Sequence, residues 1–216
     1  MHLSHSLHTF TKSLLALRND NPFTHAIALT GGIATGKSTV GNLLKLHGFL
    51  IIDADDIAHK LLDENSEQIA LMFGAQFVQD GKVLRKDLGK IIFSNKEEKQ
   101  KLEQFLHPLI REEIVKAAKI FESQKKPYFI DIPLFFETNN YPIKNSCVVY
   151  TTTEIQLQRL MKRDNISQVE AYNKINNQMD IEKKKNLATI IIDNTKNLKH
   201  LQNEVQRVVQ EIKDAI

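Results

Sequence analysis

The stretch Gly31-Gly32-Ile33-Ala34-Thr35-Gly36-Lys37-Ser38-Thr39 decides how the rest of this 216-residue chain is interpreted. It fits G-x-x-x-x-G-K-[ST], the pattern of a phosphate-binding loop. Glycines let the backbone approach a polyphosphate closely, so that N–H groups and a helix N-terminus surround the anion. In such loops the lysine reaches the β- and γ-phosphates, and the serine hydroxyl coordinates Mg²⁺. We therefore expect a triphosphate to be bound by Gly32, Ile33, Ala34, Thr35, Gly36, Lys37, Ser38 and Thr39.

The sequence on either side of the loop supports this interpretation. Residues 26–30 form a short apolar run that is typical of a buried strand. Residues 38–47 carry apolar side chains at helical spacing, and Gly48 lies where a glycine ends many helices. A strand, a glycine-rich loop and a helix, in this order, form the context in which the motif binds phosphate.

Short apolar runs recur along the chain and alternate with helical patterns. This alternation predicts an α/β fold with a doubly wound, five-stranded parallel sheet. The predicted strands are 26–30, 49–52, 128–133, 146–150 and 189–193. We expect one domain over residues 26–214, preceded by an extension over 1–25 that is poorly ordered or forms a short helix.

Two segments exceed what a parallel sheet needs for its connections. Residues 63–126 contain no convincing buried strand, so we predict a helical insertion over about 56–126 that binds the acceptor. Within it, Asp80-Gly81 marks a turn, and His107-Pro108 is expected to interrupt a helix. Residues 153–185 are predicted to form a helical lid. Its run Glu182-Lys183-Lys184-Lys185 is interpreted as a solvated face.

Charged side chains are expected around the loop. Asp53 and Asp55 follow one predicted strand, Asp131 lies near the end of another, and ligands of open α/β sheets bind at the carboxyl ends of strands. Arg159 and Arg163 are four residues apart, so that both project from one face of a lid helix towards the γ-phosphate.

Composition limits the partners and the environment. A net charge of +3 does not require nucleic acid, and no apolar run is long enough to cross a membrane. The single cysteine, Cys147, excludes an internal disulfide and suits a reducing cytosol, so we expect a cytoplasmic protein. We expect a monomer or a weak homo-oligomer.

Taken together, these motifs resemble the dephospho-CoA kinase family between residues 26 and 195. The most specific matching segments are Asp53-Ala54-Asp55, His107-Pro108-Leu109-Ile110-Arg111 and Asp131-Ile132-Pro133-Leu134-Phe135-Phe136-Glu137. The segment Ile192-Asp193-Asn194 also matches. The chain departs from the family pattern at Ala34, where a glycine is usual, and at Lys196.

The resemblance implies the three-layer P-loop kinase fold, a reaction and the roles of several residues. ATP would phosphorylate the 3′-hydroxyl of the ribose of dephospho-CoA, with Mg²⁺ as cofactor, giving coenzyme A and ADP. Asp55 is implied as the base, and Asp53 or Asp131 as the holder of a metal-bound water near Ser38. The other residues implied in catalysis or in binding the acceptor's anionic end are Lys37, Arg159, Arg163, His107 and Arg111.

Two alternatives share the loop. Another kinase of nucleosides, nucleotides or shikimate-type small molecules would have the same fold but different acceptor segments. A nucleotide-switch module would need a guanine-specifying N-K-x-D sequence. The nearest approach to it, Asn95-Lys96-Glu97-Glu98, lies in the helical insertion.

Overall fold

A parallel β-sheet forms the centre of the molecule in the computed structural model, which describes residues 21–215. The strands are β1 Ala26–Gly31, β2 Ile51–Asp53, β3 Val78–Gln79, β4 Lys82–Val83, β5 Tyr128–Asp131, β6 Asn145–Tyr150 and β7 Ile190–Asp193. Five of them form the sheet in the order β2-β5-β1-β6-β7, and all neighbours are parallel. The predicted α/β fold and its five strands are confirmed.

Helices cover both faces of this sheet. They are α1 Lys37–Leu46, α2 Ala54–Glu64, α3 Ser66–Phe73, α4 Arg85–Ser94, α5 Lys96–Glu122, α6 Phe135–Thr138, α7 Thr153–Asp164, α8 Gln168–Asn176, α9 Ile181–Leu187 and α10 Leu198–Asp214. Alternation along β1 separates two cores, because successive side chains of a strand point to opposite faces. Ile27 and Leu29 pack with α1 and α10, whereas Ala28 packs with Ile114 and Ala118 of α5.

The helical insertion has a small core of its own. Ile69, Phe77, Val83 and Leu88 are buried together, apart from the two sheet cores. Strands β3 and β4, which the sequence did not predict, form a two-residue antiparallel hairpin beside this core. Its turn is the predicted Asp80-Gly81, and both residues have positive φ, 50° and 72°. Positive φ at both central residues is typical of the tight type I′ hairpin turn.

Helix α5 runs without interruption through Pro108, so the predicted break at His107-Pro108 is wrong. Proline in a helix interior removes one backbone hydrogen bond and normally destabilises the helix. Tertiary packing outweighs this cost here, because α5 is anchored on both sides of the proline. Leu106 is buried before it, and Ile114 is buried after it in the sheet core. Pro108 itself is exposed, so water can hydrogen-bond to the backbone carbonyl four residues earlier, which has no N–H partner because of the proline.

The packed part of the chain begins before residue 26. Phe23 is only 1% exposed and contacts Tyr141 edge to face, with ring centroids 5.9 Å apart. The Asn21 side chain donates to the Pro142 carbonyl at 2.8 Å. Residues 21–25 of the predicted extension therefore pack against the domain, and its residues 1–20 lie outside the described part of the chain.

Candidate active site

The phosphate-binding loop joins β1 to α1 and has the backbone that its glycines allow. Gly36 has φ of 94°, and a Cβ there would collide with the Asn194 side-chain amide. Ala34 has φ of 60°, a conformation that is strained for a residue with a Cβ. Thr35 closes the turn through its N–H and Oγ1, which donate to the Gly32 carbonyl at 3.3 and 2.9 Å. Because α1 begins at Lys37, its first N–H groups lie at the loop.

Most of the predicted site residues line one cavity of about 570 Å³. Its walls contain the whole loop from Gly31 to Thr39, together with Asp55, Pro133, Arg159, Arg163 and Gln178. The structure therefore places the candidate base, the loop and both lid arginines around a single space. A cavity of this volume is within the range of small-molecule sites.

Lys37 and Asp55 line this cavity, and Asp131 and Asp53 lie close to them. Lys37 Nζ forms an ion pair with Asp131, which is 7% exposed at the end of β5. Desolvation raises the pKa of Asp131, Lys37 opposes this shift, and Asp53 and Asp55 add to it. Desolvation likewise raises the pKa of Asp55, again opposed by Lys37. The three carboxylates thus repel one another beside one lysine, an arrangement that favours a cation.

Asp53 also has a structural role at the start of α2. Its Oδ1 accepts hydrogen bonds from the N–H groups of Asp55 and Asp56, at 2.9 and 3.1 Å. Asp53 is therefore the N-cap residue of α2. The Asp55 side chain is consequently free of the cap and lines the cavity.

The two lid arginines differ in their contacts, although both lie on α7. Arg159 is half-buried and donates to the Thr35 carbonyl at 3.4 Å and to the Asn194 carbonyl at 3.0 Å. Arg163 is exposed, and its Nε donates to Asp164 at 2.8 Å. Arg159 is therefore part of the loop's support, whereas Arg163 lies at the outer rim of the cavity.

His107 and Arg111 lie one turn apart on α5 and line a different cavity. This space has a volume of about 310 Å³, and Pro108, Asn140 and Tyr141 complete its walls. His107 and Arg111 are both exposed. The structure brings these two predicted residues together but does not place them in the cavity of the phosphate-binding loop.

Side-chain amides that the sequence analysis did not assign hold the loop in place. Asn194 donates to the Thr35 carbonyl at 2.8 Å, and Gln156 donates to the Ile33 carbonyl at 2.7 Å. Gln178 accepts from the Ile33 N–H, also at 2.7 Å. Asn194 follows β7 and lies in one of the matching family segments. Nothing in the local sequence distinguishes Gln156 and Gln178 from surface glutamines.

Lys184 contradicts the prediction that residues 182–185 form a solvated face. It is fully buried, whereas its neighbour Lys183 is exposed. Its Nζ donates to the carbonyls of Gly31 and Pro133, at 3.0 and 3.2 Å, and forms an ion pair with Glu137 at 2.7 Å. Charge runs are usually solvated, but here one helical turn directs a single lysine inwards beneath the loop.

The oxygen atoms beside the loop fit a magnesium ion that arrives with a nucleotide. Residues 21–215 contain no group of three or more His, Cys, Asp or Glu side chains arranged to hold a metal. Mg²⁺ commonly binds through one or two protein oxygens, water and substrate phosphates rather than in a complete protein cage. Ser38, Asp53 and Asp131 supply hard oxygen atoms of this kind.

Among residues 21–215, no helix combines the length and the apolar character needed to cross a bilayer.

Comparisons with known proteins agree with this geometry. A family model described as dephospho-CoA kinase matches residues 25–200. The dephospho-CoA kinase of Sulfurimonas denitrificans is 52% identical over 191 residues, covering 88% of this chain and 96% of the relative. That of Wolinella succinogenes is 45% identical over 191 residues, covering 88% of this chain and 95% of the relative.

A solved structure extends the likeness to three dimensions. The dephospho-CoA kinase from Campylobacter jejuni has a TM-score of 0.71 at 40% sequence identity, covering 89% of this chain and 99% of that one. The resemblance drawn from the motifs is thus confirmed along almost the whole of the described chain. The chain belongs to the dephospho-CoA kinase family, and its reaction is the ATP-dependent phosphorylation of dephospho-CoA to coenzyme A.

Proposed function

We propose that ATP and dephospho-CoA meet in the loop cavity, where the γ-phosphoryl group passes to the 3′-hydroxyl of the acceptor's ribose. The observation that supports this proposal most strongly is that Asp55 and the whole phosphate-binding loop line the same cavity. Phosphoryl transfer depends mainly on positioning and on charge stabilisation. A carboxylate facing a phosphate cradle supplies the acceptor side of such a site.

The loop and Lys37 would bind the donor. Backbone N–H groups of residues 32–39 and the start of α1 would surround the β- and γ-phosphates. Lys37, which is paired with Asp131, would turn from this carboxylate to the phosphates. The same lysine then stabilises the charge that accumulates between the β- and γ-phosphates during transfer.

Asp55 would act as the base. As the 3′-oxygen forms its bond to the γ-phosphorus, its proton passes to the Asp55 carboxylate. The bond between that phosphorus and the bridging oxygen breaks, and ADP leaves with the electron pair. Desolvation raises the pKa of Asp55 towards neutral pH, and a general base is most effective when its pKa lies near the working pH.

The lid arginines would act on the phosphoryl group in transit. Arg159 is fixed by carbonyls of the loop and of Asn194, so that it is positioned before substrate binds. Arg163 is nearer the rim, and closure of α7 and α8 would bring it inwards while water is excluded. Cations in this position offset negative charge in the transition state.

Magnesium would be held by the Ser38 hydroxyl, with Asp53 or Asp131 binding it through water. When bound, the ion neutralises charge on the β- and γ-phosphates. The mutual repulsion of the carboxylates around Lys37 supports a cation at this place.

The acceptor is expected to extend beyond the loop cavity. His107 and Arg111 line a second cavity and would bind the anionic end of dephospho-CoA. The diphosphate of a long acceptor can reach a side chain that lies outside the reaction cavity. Cationic residues on an exposed helix face are suited to such a contact, because they need not be desolvated beforehand.

We further propose a cytoplasmic enzyme that is a monomer or a weak homo-oligomer. Cys147 is fully buried, and desolvation raises the pKa of its thiol to about 12, so that it is chemically inert. Light scattering at micromolar concentration would determine the oligomeric state.

The function is tested by measuring ADP release with dephospho-CoA, AMP, nucleosides or shikimate as acceptor. We expect dephospho-CoA to be strongly preferred and the product to carry its new phosphate on the 3′-oxygen, as phosphorus NMR can show. Preference for another acceptor would favour the small-molecule kinase alternative. Tight GTP binding without transfer would favour the nucleotide switch.

A further inference from the structure

Lys184 lies directly beneath the active site but takes no part in the reaction proposed above. It is the fully buried member of a lysine run on α9, and its side-chain exposure is 0%. Burying an ammonium group is costly unless every donor is paired. Desolvation accordingly lowers the pKa of Lys184, and its partner Glu137 opposes this shift.

The partners of Lys184 come from the two segments that carry Lys37 and Asp131. An ammonium group has three donor hydrogens, and Lys184 has three partners: the Gly31 carbonyl, the Pro133 carbonyl and Glu137. Gly31 opens the loop that leads to Lys37. Pro133 follows the strand end that carries Asp131, and the Thr30 hydroxyl also donates to its carbonyl, at 3.0 Å.

Glu137 extends this link to the lid. The oxygen that pairs with Lys184 also accepts the N–H of Met179, at 3.0 Å. Met179 directly follows Gln178, whose side chain accepts the Ile33 N–H of the loop. The ion pair between the buried Lys184 and Glu137 therefore contacts the loop, the end of β5 and the chain between α8 and α9.

We infer that Lys184 is a positioning residue for phosphoryl transfer, because its ammonium group holds the Gly31 and Pro133 carbonyls and so sets Lys37 relative to Asp131. The inference rests on the function proposed above. In this role Lys184, which lies outside the reaction cavity, keeps the loop aligned with the end of β5.

A purely structural role makes a different prediction. If Lys184 only stabilised the fold, its replacement would lower thermal stability and leave turnover of the folded enzyme unchanged. Replacing a whole buried ion pair by neutral side chains is often harmless to stability, whereas removing one partner is strongly destabilising. The double variant Lys184→Met/Glu137→Gln thus separates stability from positioning.

The experiment compares Lys184→Met, the double variant and a control, Lys183→Met, which makes the same change at an exposed site of the same helix. For each, thermal unfolding and steady-state kinetics with ATP and dephospho-CoA are measured. We expect the double variant to be more stable than Lys184→Met but still to lose roughly 100-fold in kcat, as expected for displaced reacting groups. We expect its KM for dephospho-CoA to be nearly unchanged and the control to match the wild type.

Three results would overturn the inference. One is a folded double variant with wild-type kcat, and another is an equal loss of kcat in Lys183→Met. The third is the absence of cooperative unfolding in the double variant, since Lys184 would then serve stability alone. Failure of the wild-type enzyme to phosphorylate dephospho-CoA would instead contradict the proposed function.

Discussion

The phosphate-binding loop is surrounded by fixed contacts, whereas the His107–Arg111 cavity is lined by exposed side chains of one helix and a nearby turn. Side chains from α7, from the segment after α8, from α9 and from the end of β7 bond to the loop backbone. The proposed donor side is therefore assembled by the protein itself. The proposed acceptor side would offer charges that the substrate must bring into a defined geometry. This difference predicts that substitutions on the two sides will affect different kinetic constants.

The largest effect is expected at Lys37. Lys37→Ala removes the cation that would meet the β- and γ-phosphates, and loss of one such preorganised group typically costs roughly 100- to 1,000-fold in kcat. Steady-state ADP release measures this loss. Lys45→Ala, an exposed lysine in the last turn of the same helix, should leave the rate unchanged. Retained activity in Lys37→Ala would contradict the assignment of the loop.

Asp55→Asn should lower kcat by roughly 100-fold with little change in ATP affinity, since it removes the base but not the cradle. The base must be deprotonated, so wild-type activity should rise as pH increases through the raised pKa of Asp55. That acidic limb should be absent from the variant's pH profile. Asp56→Asn is the adjacent control. An unchanged turnover or an unchanged acidic limb would remove Asp55 from the mechanism.

Arg111→Ala tests the acceptor side. Loss of one charge-assisted contact corresponds to about 2 kcal/mol, or more than tenfold in affinity. We expect the KM for dephospho-CoA to rise by more than tenfold while kcat and the KM for ATP stay unchanged. Lys119→Ala, an exposed position farther along α5, is the matched control. A fall in kcat without a change in KM would show that the two sides are not separate.

The smallest effect is expected at Ala34, where the rigid loop contains strain. Ala34 has φ of 60°, and glycine relieves the steric cost of about 1 kcal/mol that Cβ imposes there. Ala34→Gly should raise the midpoint of thermal unfolding by roughly 1–2 °C, because the greater freedom of glycine in the unfolded chain offsets part of this gain. Ala188→Gly, at φ of −71°, should lower it. If both variants shifted the unfolding midpoint equally and in the same direction, Ala34 would not be strained.

Sequence patterns predicted the phosphate-binding loop and the elements beside it better than the long-range contacts around them, because the sequence signals of the loop are local. The loop, the buried strands and the acids that follow them lie within short segments whose periodicity fixes their place in a parallel sheet. Pro108 and Lys184 show the limit of such patterns. A proline was expected to interrupt α5, but packing at Leu106 and Ile114 maintains the helix.

Lys184 looks like any lysine in a charged run, and its burial depends on partners that are 47 to 153 residues away in sequence. Gln156 and Gln178 were missed for the same reason, since each bonds to the loop from more than 120 residues away. Contacts of this kind depend on the folded arrangement and leave no periodic trace. The resemblance to a family identified the segments around them but did not assign their roles.

In the proposed mechanism, one cavity brings Asp55 to the phosphate-binding loop. A crystal structure with a non-hydrolysable ATP analogue, Mg²⁺ and dephospho-CoA would show this arrangement. We expect an Asp55 carboxylate oxygen within about 2.6–3.2 Å of the ribose 3′-hydroxyl, and that hydroxyl in line with the γ-phosphate. A 3′-hydroxyl bound to another acid, or lying outside the loop cavity, would contradict it.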